Sequence, residues 1–392
     1  MQPENHESSF IRRLLLIVFV SLNVLDLLFT SHFAPNVSRA EESPRSKSVA
    51  ETSNERSASK VDDLLKEAQR HFKPLPKDLA TQEFPINPDL VTLGRKLFFD
   101  PRISADGTVS CSRCHQAALY GTDGLAKSHG AHDKVLPRNA PTVFNASLHF
   151  KQHWRGELQS VEEQAKRSLV GPGFANPDYV TAMTKLKAIP GYSEMFLKCF
   201  PGSANSVTED NWGKAIGAYE RTLVTPSRFD EFLNGTTNAL TSAEQQGLRT
   251  FIGTGCALCH NGAGIGGDKF RKFGVLEDYW PATHSKDVDK GRFDLTKNLD
   301  DLYLFKVPGL RNVETTPPYF HDGSVTRLPD DVRIMARVQL DVTLSERDTT
   351  AIVTFLKSLT GKRPQDFTDA PILPAAGFDS SVTSTEDQHA TR

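Results

Sequence analysis

The chain has 392 residues, 38% of them hydrophobic and 24% charged, with a formal net charge of −2. That length suffices for two ordinary domains, each with a full core and no need of disulfides. The charge balance gives no footing for nucleic-acid binding, and five cysteines, an odd number, argue against a disulfide framework.

In chain order, Arg12 and Arg13 precede an apolar run from Leu14 to Phe29, and small and polar residues follow as far as Ala40. These are the parts of a secretory signal peptide over residues 1–40, with an uncleaved anchor as the rival reading. Either places the body outside the cytoplasm, so the expected location is the periplasm. Residues 41 to about 60 are rich in Ser, Glu, Lys and Arg, which predicts a disordered spacer and then a short helix over 41–78. Beyond it the pattern is helical. Trp212, Ala215, Ile216 and Tyr219 recur at helical spacing behind the capping residue Thr208. Thr241 with Glu244 reads as a capping box, and Ser345 opens a helix that stops at Gly361. Pro- and Gly-bearing connections, Pro101 to Arg138 and Gly262 to Arg292, read as long loops, and 367–392 as a disordered tail. The class is mainly α.

Four of the cysteines stand in two identical patterns, Cys111-Ser112-Arg113-Cys114-His115 and Cys256-Ala257-Leu258-Cys259-His260. C-x-x-C-H spacing lets two thiols form thioethers to the vinyl groups on one edge of a haem, while the histidine reaches the iron. A Cys₄ zinc site leaves both histidines unexplained, and a redox dithiol expects a βαβ pattern that is absent from the sequence. The expectation is two covalently bound haems c. Cys199, in the apolar segment Met195 to Phe200, reads as a buried small hydrophobe. For the remaining axial positions, Met335 is a candidate as much as a core residue, while Met183 and Met195 read as core. His129 and His132 follow the first motif in a glycine-bearing loop.

These residues resemble the bacterial di-haem cytochrome c peroxidases and the related methylamine-utilisation di-haem oxidase. The resemblance runs from about Leu93 to Gly361, through LGRKLFFDPRIS, PRNAPTVFNA, LRNVETTPPYFHDG and RIMARVQL. It implies two cytochrome c-like domains with long loops, 79–225 and 226–366, with a haem at either side of their interface. The N-terminal, peroxide-reacting haem would sit on Cys111 and Cys114 with His115 proximal. The C-terminal, electron-transferring haem would sit on Cys256 and Cys259 with His260 and Met335. It further implies Trp154 between the haems, Gln164 in the pocket, and a calcium ion held by Asn139, Thr316 and Pro318. The implied activity is reduction of hydrogen peroxide to water with electrons from a small cytochrome c or a copper protein, by a homodimer.

Two departures qualify the resemblance. The family's loop histidine aligns with Ala131, so His132, one residue on, is taken as the ligand in preference to His129. The family's pocket glutamate aligns with Phe174 without gaps, and with Asp178 or Tyr179 when local gaps are allowed; Asp178 is the expected acid–base. Loss of that group leaves two alternatives: an oxidase that modifies a partner protein, or a non-catalytic electron-transfer or sensor cytochrome.

Overall fold

The computed structural model describes residues 49–374. The signal peptide or anchor, the first residues of the spacer and the end of the tail lie outside the described residues. Within them the chain forms helices α1 Val49–His71, α2 Pro88–Phe99, α3 Cys111–Cys114, α4 Val161–Ser168, α5 Tyr179–Ala188, α6 Tyr192–Cys199 and α7 Glu209–Glu220. There follow α8 Arg228–Leu233, α9 Ser242–Thr254, α10 Tyr279–Thr283, α11 Phe293–Thr296, α12 Leu328–Leu340, α13 Glu346–Lys357 and α14 Gln365–Thr368. The strands β1 Phe270–Lys272 and β2 Leu304–Lys306 pair antiparallel. The mainly α class holds. No described helix is long and apolar enough to cross a membrane.

Side-chain caps fix where the helices begin. Asn87 accepts from Leu90 N at 2.9 Å with Pro88 at the first helical position, and Thr208 accepts from Asn211 N at 3.2 Å. Thr241 and Glu244 form the reciprocal box on α9. These bonds satisfy amides that have no partner inside the helix. At the other end of α9, Gly255 takes φ +99° and ends the helix one residue before Cys256, so a helix stop delivers the second motif.

The interior has two main apolar clusters. In the first, α2 crosses α7 so closely that a Cβ on Gly94 would lie 1.8 Å from the Ala215 carbonyl oxygen. Leu93, Leu97, Phe98, Trp212, Ile216 and Tyr219 are fully buried there. In the second, α9 meets α13 at Gly247, whose missing Cβ would meet Ala351 O at 2.1 Å. Leu248, Phe251, Phe355 and Leu356 fill that contact.

Both ends of the chain cross the expected partition. Helix α1 is 23 residues long, begins at Val49 inside the expected spacer, and packs Leu64, Ala68 and Phe72 into the second cluster. Their spacing of four is a helical stripe that outweighs the polar composition around it. At the far end, Phe367 is 0% exposed and belongs to the first cluster, so the tail reading fails at its first residue.

Candidate functional site

The first motif forms the single turn α3, entered from extended Ser110. The ring nitrogen Nδ1 of His115 lies 2.9 Å from Gly121 O. A carbonyl only accepts, so Nδ1 carries the proton and Nε2 is left free with its lone pair. Gly121 sits at φ +76°, where a Cβ would press on Thr142 Oγ1 at 2.9 Å. Burial holds the imidazole below its ordinary pKa and pushes the Cys114 thiol up to about 11, with Asp123 adding to the latter. The thiols therefore stay protonated at neutral pH. Unreacted, they are poor nucleophiles or zinc ligands.

The second motif faces a cavity of about 230 Å³. Cys256, Cys259 and His260 line it together with Met335 from α12 and Trp154. Burial pushes Cys256 up to about 12 and His260 down to about 4, and Nδ1 of His260 is buried with no hydrogen-bond partner. Two thiols, a neutral imidazole and a thioether around a mostly apolar space form a donor set that fits a haem and suits no hard cation. Trp154 is half-buried, and its Nε1–H donates to Asn139 O at 3.0 Å. Asn139, Thr316 and Pro318 line the same cavity, and the Asn139 amide donates to Leu125 O at 2.9 Å.

Other expected residues stand elsewhere. Asp178 is exposed and caps α5, accepting from Thr181 N at 2.7 Å; that bond holds its carboxyl below the usual range. In this structure it serves as a helix cap and faces solvent, where the sequence reading expected it in the pocket. Phe174 is buried edge-on against Trp212 with ring centroids 6.2 Å apart, and Tyr179 lies under the Lys166 ammonium. The His132 side chain is 67% exposed, its backbone N–H held by Asp106 at 2.6 Å. In this conformation it turns to solvent. His129 pairs with Asp133 at 2.7 Å. Gln164 is half-buried on α4.

The sequence reading missed several groups. Lys306 is 5% exposed, donates to His149 Nδ1 at 3.0 Å, and is pushed down to about 8 by burial. Both residues line the cavity. The signal was a lone lysine within Leu304-Phe305-Lys306-Val307. His321 stacks on Phe305, with centroids 4.5 Å apart, and faces Trp154 at 6.3 Å. Near the first motif, Glu220 is 4% exposed and raised to about 8, by burial first and then by the neighbouring Glu162. Glu162 itself is held by Arg221 at 2.7 and 3.1 Å.

The fold places the chain in a class. It superposes on a MauG-like protein associated with microbial copper homeostasis with a TM-score of 0.67 and 27% identity, over 76% of this chain and 97% of that one. The diheme peroxidase BthA from Burkholderia thailandensis shares the fold at a TM-score of 0.60 and 20% identity, over 75% of this chain and 90% of that one. The class is the mainly helical fold of MauG-like proteins. Cytochrome c551 peroxidase of Nitrosomonas europaea is 41% identical over 76% of this chain and 86% of its own length. Its counterpart in Pseudomonas aeruginosa is 40% identical over 81% and 91%. A family model described as di-haem cytochrome c peroxidase matches residues 88–238. The chain belongs to the di-haem cytochrome c peroxidase family. Its cofactors are haems and its class is peroxidase-type oxidoreductase. MauG of Methylorubrum extorquens, at 33% identity over 62% of this chain and 67% of its own length, is a more distant relative. That ranking disfavours the partner-modifying oxidase.

Proposed function

We propose that this chain is an exported, periplasmic peroxidase that reduces hydrogen peroxide to two waters, taking two electrons from a small cytochrome c or copper protein and two protons from solvent. The observation that supports it most is the convergence of Cys256, Cys259, His260, Met335 and Trp154 on one apolar cavity. When bound, haem supplies the one-electron storage and the peroxide-reducing chemistry.

The residues divide that work. Cys111 with Cys114, and Cys256 with Cys259, tether one haem c each through thioethers. His115 offers Nε2, because Gly121 fixes the proton on Nδ1. His260 and Met335 would both hold the second iron, and a thioether ligand raises the reduction potential as an electron store requires. Trp154 offers a polarisable ring between the two sites, held in place by its bond to Asn139. Gln164 would orient peroxide at the first site, and the outward His132 supports a site open to it. Asn139, Thr316 and Pro318 supply oxygen donors suited to calcium. The apolar run Leu14 to Phe29 supports export, and a homodimer is the proposed assembly.

The test is steady-state turnover of hydrogen peroxide with reduced cytochrome c and, separately, a reduced cupredoxin. The expected outcome is turnover with at least one donor. No turnover with either, even after pre-reduction, refutes the proposal and leaves the electron-transfer cytochrome.

A further inference from the structure

Beyond α13 the chain leaves the second apolar cluster and returns to the first. It turns at Gly361, where a Cβ would lie 2.1 Å from Thr225 O, so the backbone passes flush against the start of α8. From there residues 362–374 run as a strap over the opposite half. Arg95 donates to Asp366 O at 2.8 Å, and Arg102 to Pro374 O at 3.0 Å. Arg95 and Lys96 also donate to the carbonyls of Asp369 and Ile372. A segment this polar has no reason to fold back for hydrophobic burial alone. What it buries is one ring, Phe367, fully enclosed.

That ring lands beside the first motif. Phe367 stands 5.8 Å from Phe98 and 4.8 Å from Phe144, centroid to centroid. Phe98 in turn lies 6.4 Å from the His115 imidazole. Phe144 meets Tyr120 edge-on at 6.1 Å. Four residues earlier on the strap, Arg363 donates to Ala117 O at 2.6 Å, and its guanidinium lies 5.1 Å over the Tyr120 ring. Ala117 and Tyr120 belong to the short turn that ends at Gly121, and Gly121 O is the acceptor for His115 Nδ1. The strap thus grips the His115 environment twice: through Phe98 on the ring, and through Arg363 on the turn bearing its hydrogen-bond acceptor.

We infer that Arg363 and Phe367, contributed from the end of the second cytochrome-like half and just past it, are positioning residues for His115. They make the orientation and basicity of the N-terminal haem ligand depend on the C-terminal end of the chain. A histidine whose Nδ1–H bond is firm is a stronger donor to iron and stabilises the oxidised metal. Loosening the turn weakens that bond, so the reduction potential of the N-terminal centre should rise. The inference rests on the proposed reading of His115 as an iron ligand.

The experiment compares Arg363→Ala, Phe367→Leu and Phe367→Ala holoproteins with wild type and with His115→Ala. Readouts are the midpoint potentials of both haems and the iron–histidine stretching band in the resonance Raman spectrum of the reduced protein. Arg363→Ala leaves the apolar core intact, so it reports even where Phe367→Ala fails to fold. The expected result is a potential shift at the N-terminal haem of about 59 mV, tenfold in the one-electron equilibrium. A lowered stretching frequency should accompany it, with the C-terminal haem unmoved as the internal standard. If His115→Ala alters the N-terminal spectrum while the strap variants only melt earlier and shift neither readout, the positioning role is overturned. If His115→Ala leaves that spectrum unchanged, the reading of the site itself falls.

Discussion

Arg221 offers the sharpest test of how the first site is held. Its guanidinium is 6% exposed and bonds both oxygens of Glu162, 7% exposed, at 2.7 and 3.1 Å. A third bond reaches Leu79 O at 2.8 Å. Replacing Arg221 by Met keeps much of the volume and strands a buried carboxylate. Breaking one side of a buried pair costs about 3–5 kcal/mol, and the lost bond to Leu79 adds about 1 kcal/mol. Against a total stability of roughly 5–15 kcal/mol, the variant should be close to marginal. Because Glu162 lies on the helix that bears Gln164, peroxidase activity should fall with stability. The double variant Glu162→Gln with Arg221→Met removes the stranded charge and should recover about 3 kcal/mol of the loss. Urea unfolding followed by circular dichroism measures all four corners of the cycle. A single-variant cost under about 1 kcal/mol, or a double variant no more stable than Arg221→Met, would refute the argument.

Three further outcomes follow from the geometry. Asp178→Ala should melt slightly earlier through loss of the α5 cap, yet turn over at the wild-type rate; a fall of about 10²–10⁴ in kcat would restore Asp178 as a general acid. Glu220 has a folded pKa of about 8 against an ordinary 4.5, so the unfolded chain sheds the proton first. The Glu220 contribution to stability is therefore full below pH 4.5 and is lost as pH rises through 8, by an amount on the order of a few kcal/mol. Glu220→Gln should lack that decline, and parallel stability curves at pH 5 and pH 9 would count against it. Met335→Ala should lower the potential of the C-terminal centre with little change at the other, as read by redox titration; an unchanged potential would show that the thioether is not a ligand.

The haem motifs were legible because their chemistry is compressed into five consecutive residues. The helix starts at Thr208, Thr241 and Ser345 were legible for the same reason, since a cap acts over three residues. What failed was non-local. Asp178 read as an acid, because no single sequence shows which way a loop carboxylate turns; yet Asp178-Tyr179-Val180-Thr181 is itself a cap pattern, and the bond to Thr181 N bears that out. Phe367 stands alone among polar residues, and composition averages over a window conceal one anchoring ring. Lys306 and Glu220 owe their perturbed protonation to elements far away in sequence, which spacing cannot report.

The placement of α1 bears on how the molecule comes into being. Leu64, Ala68 and Phe72, early in the folded body, complete a core whose other walls are α9 and α13, made about 170 and 280 residues later. Loop closure over such a span forms late and slowly, since its entropy must be met before any contact rewards it. Neither half of the chain is then a self-sufficient folding unit. A fragment ending near residue 225 would strand α1 with no partner, and one beginning there would present a groove where α1 belongs. The second cluster is complete only once α13 has met α1.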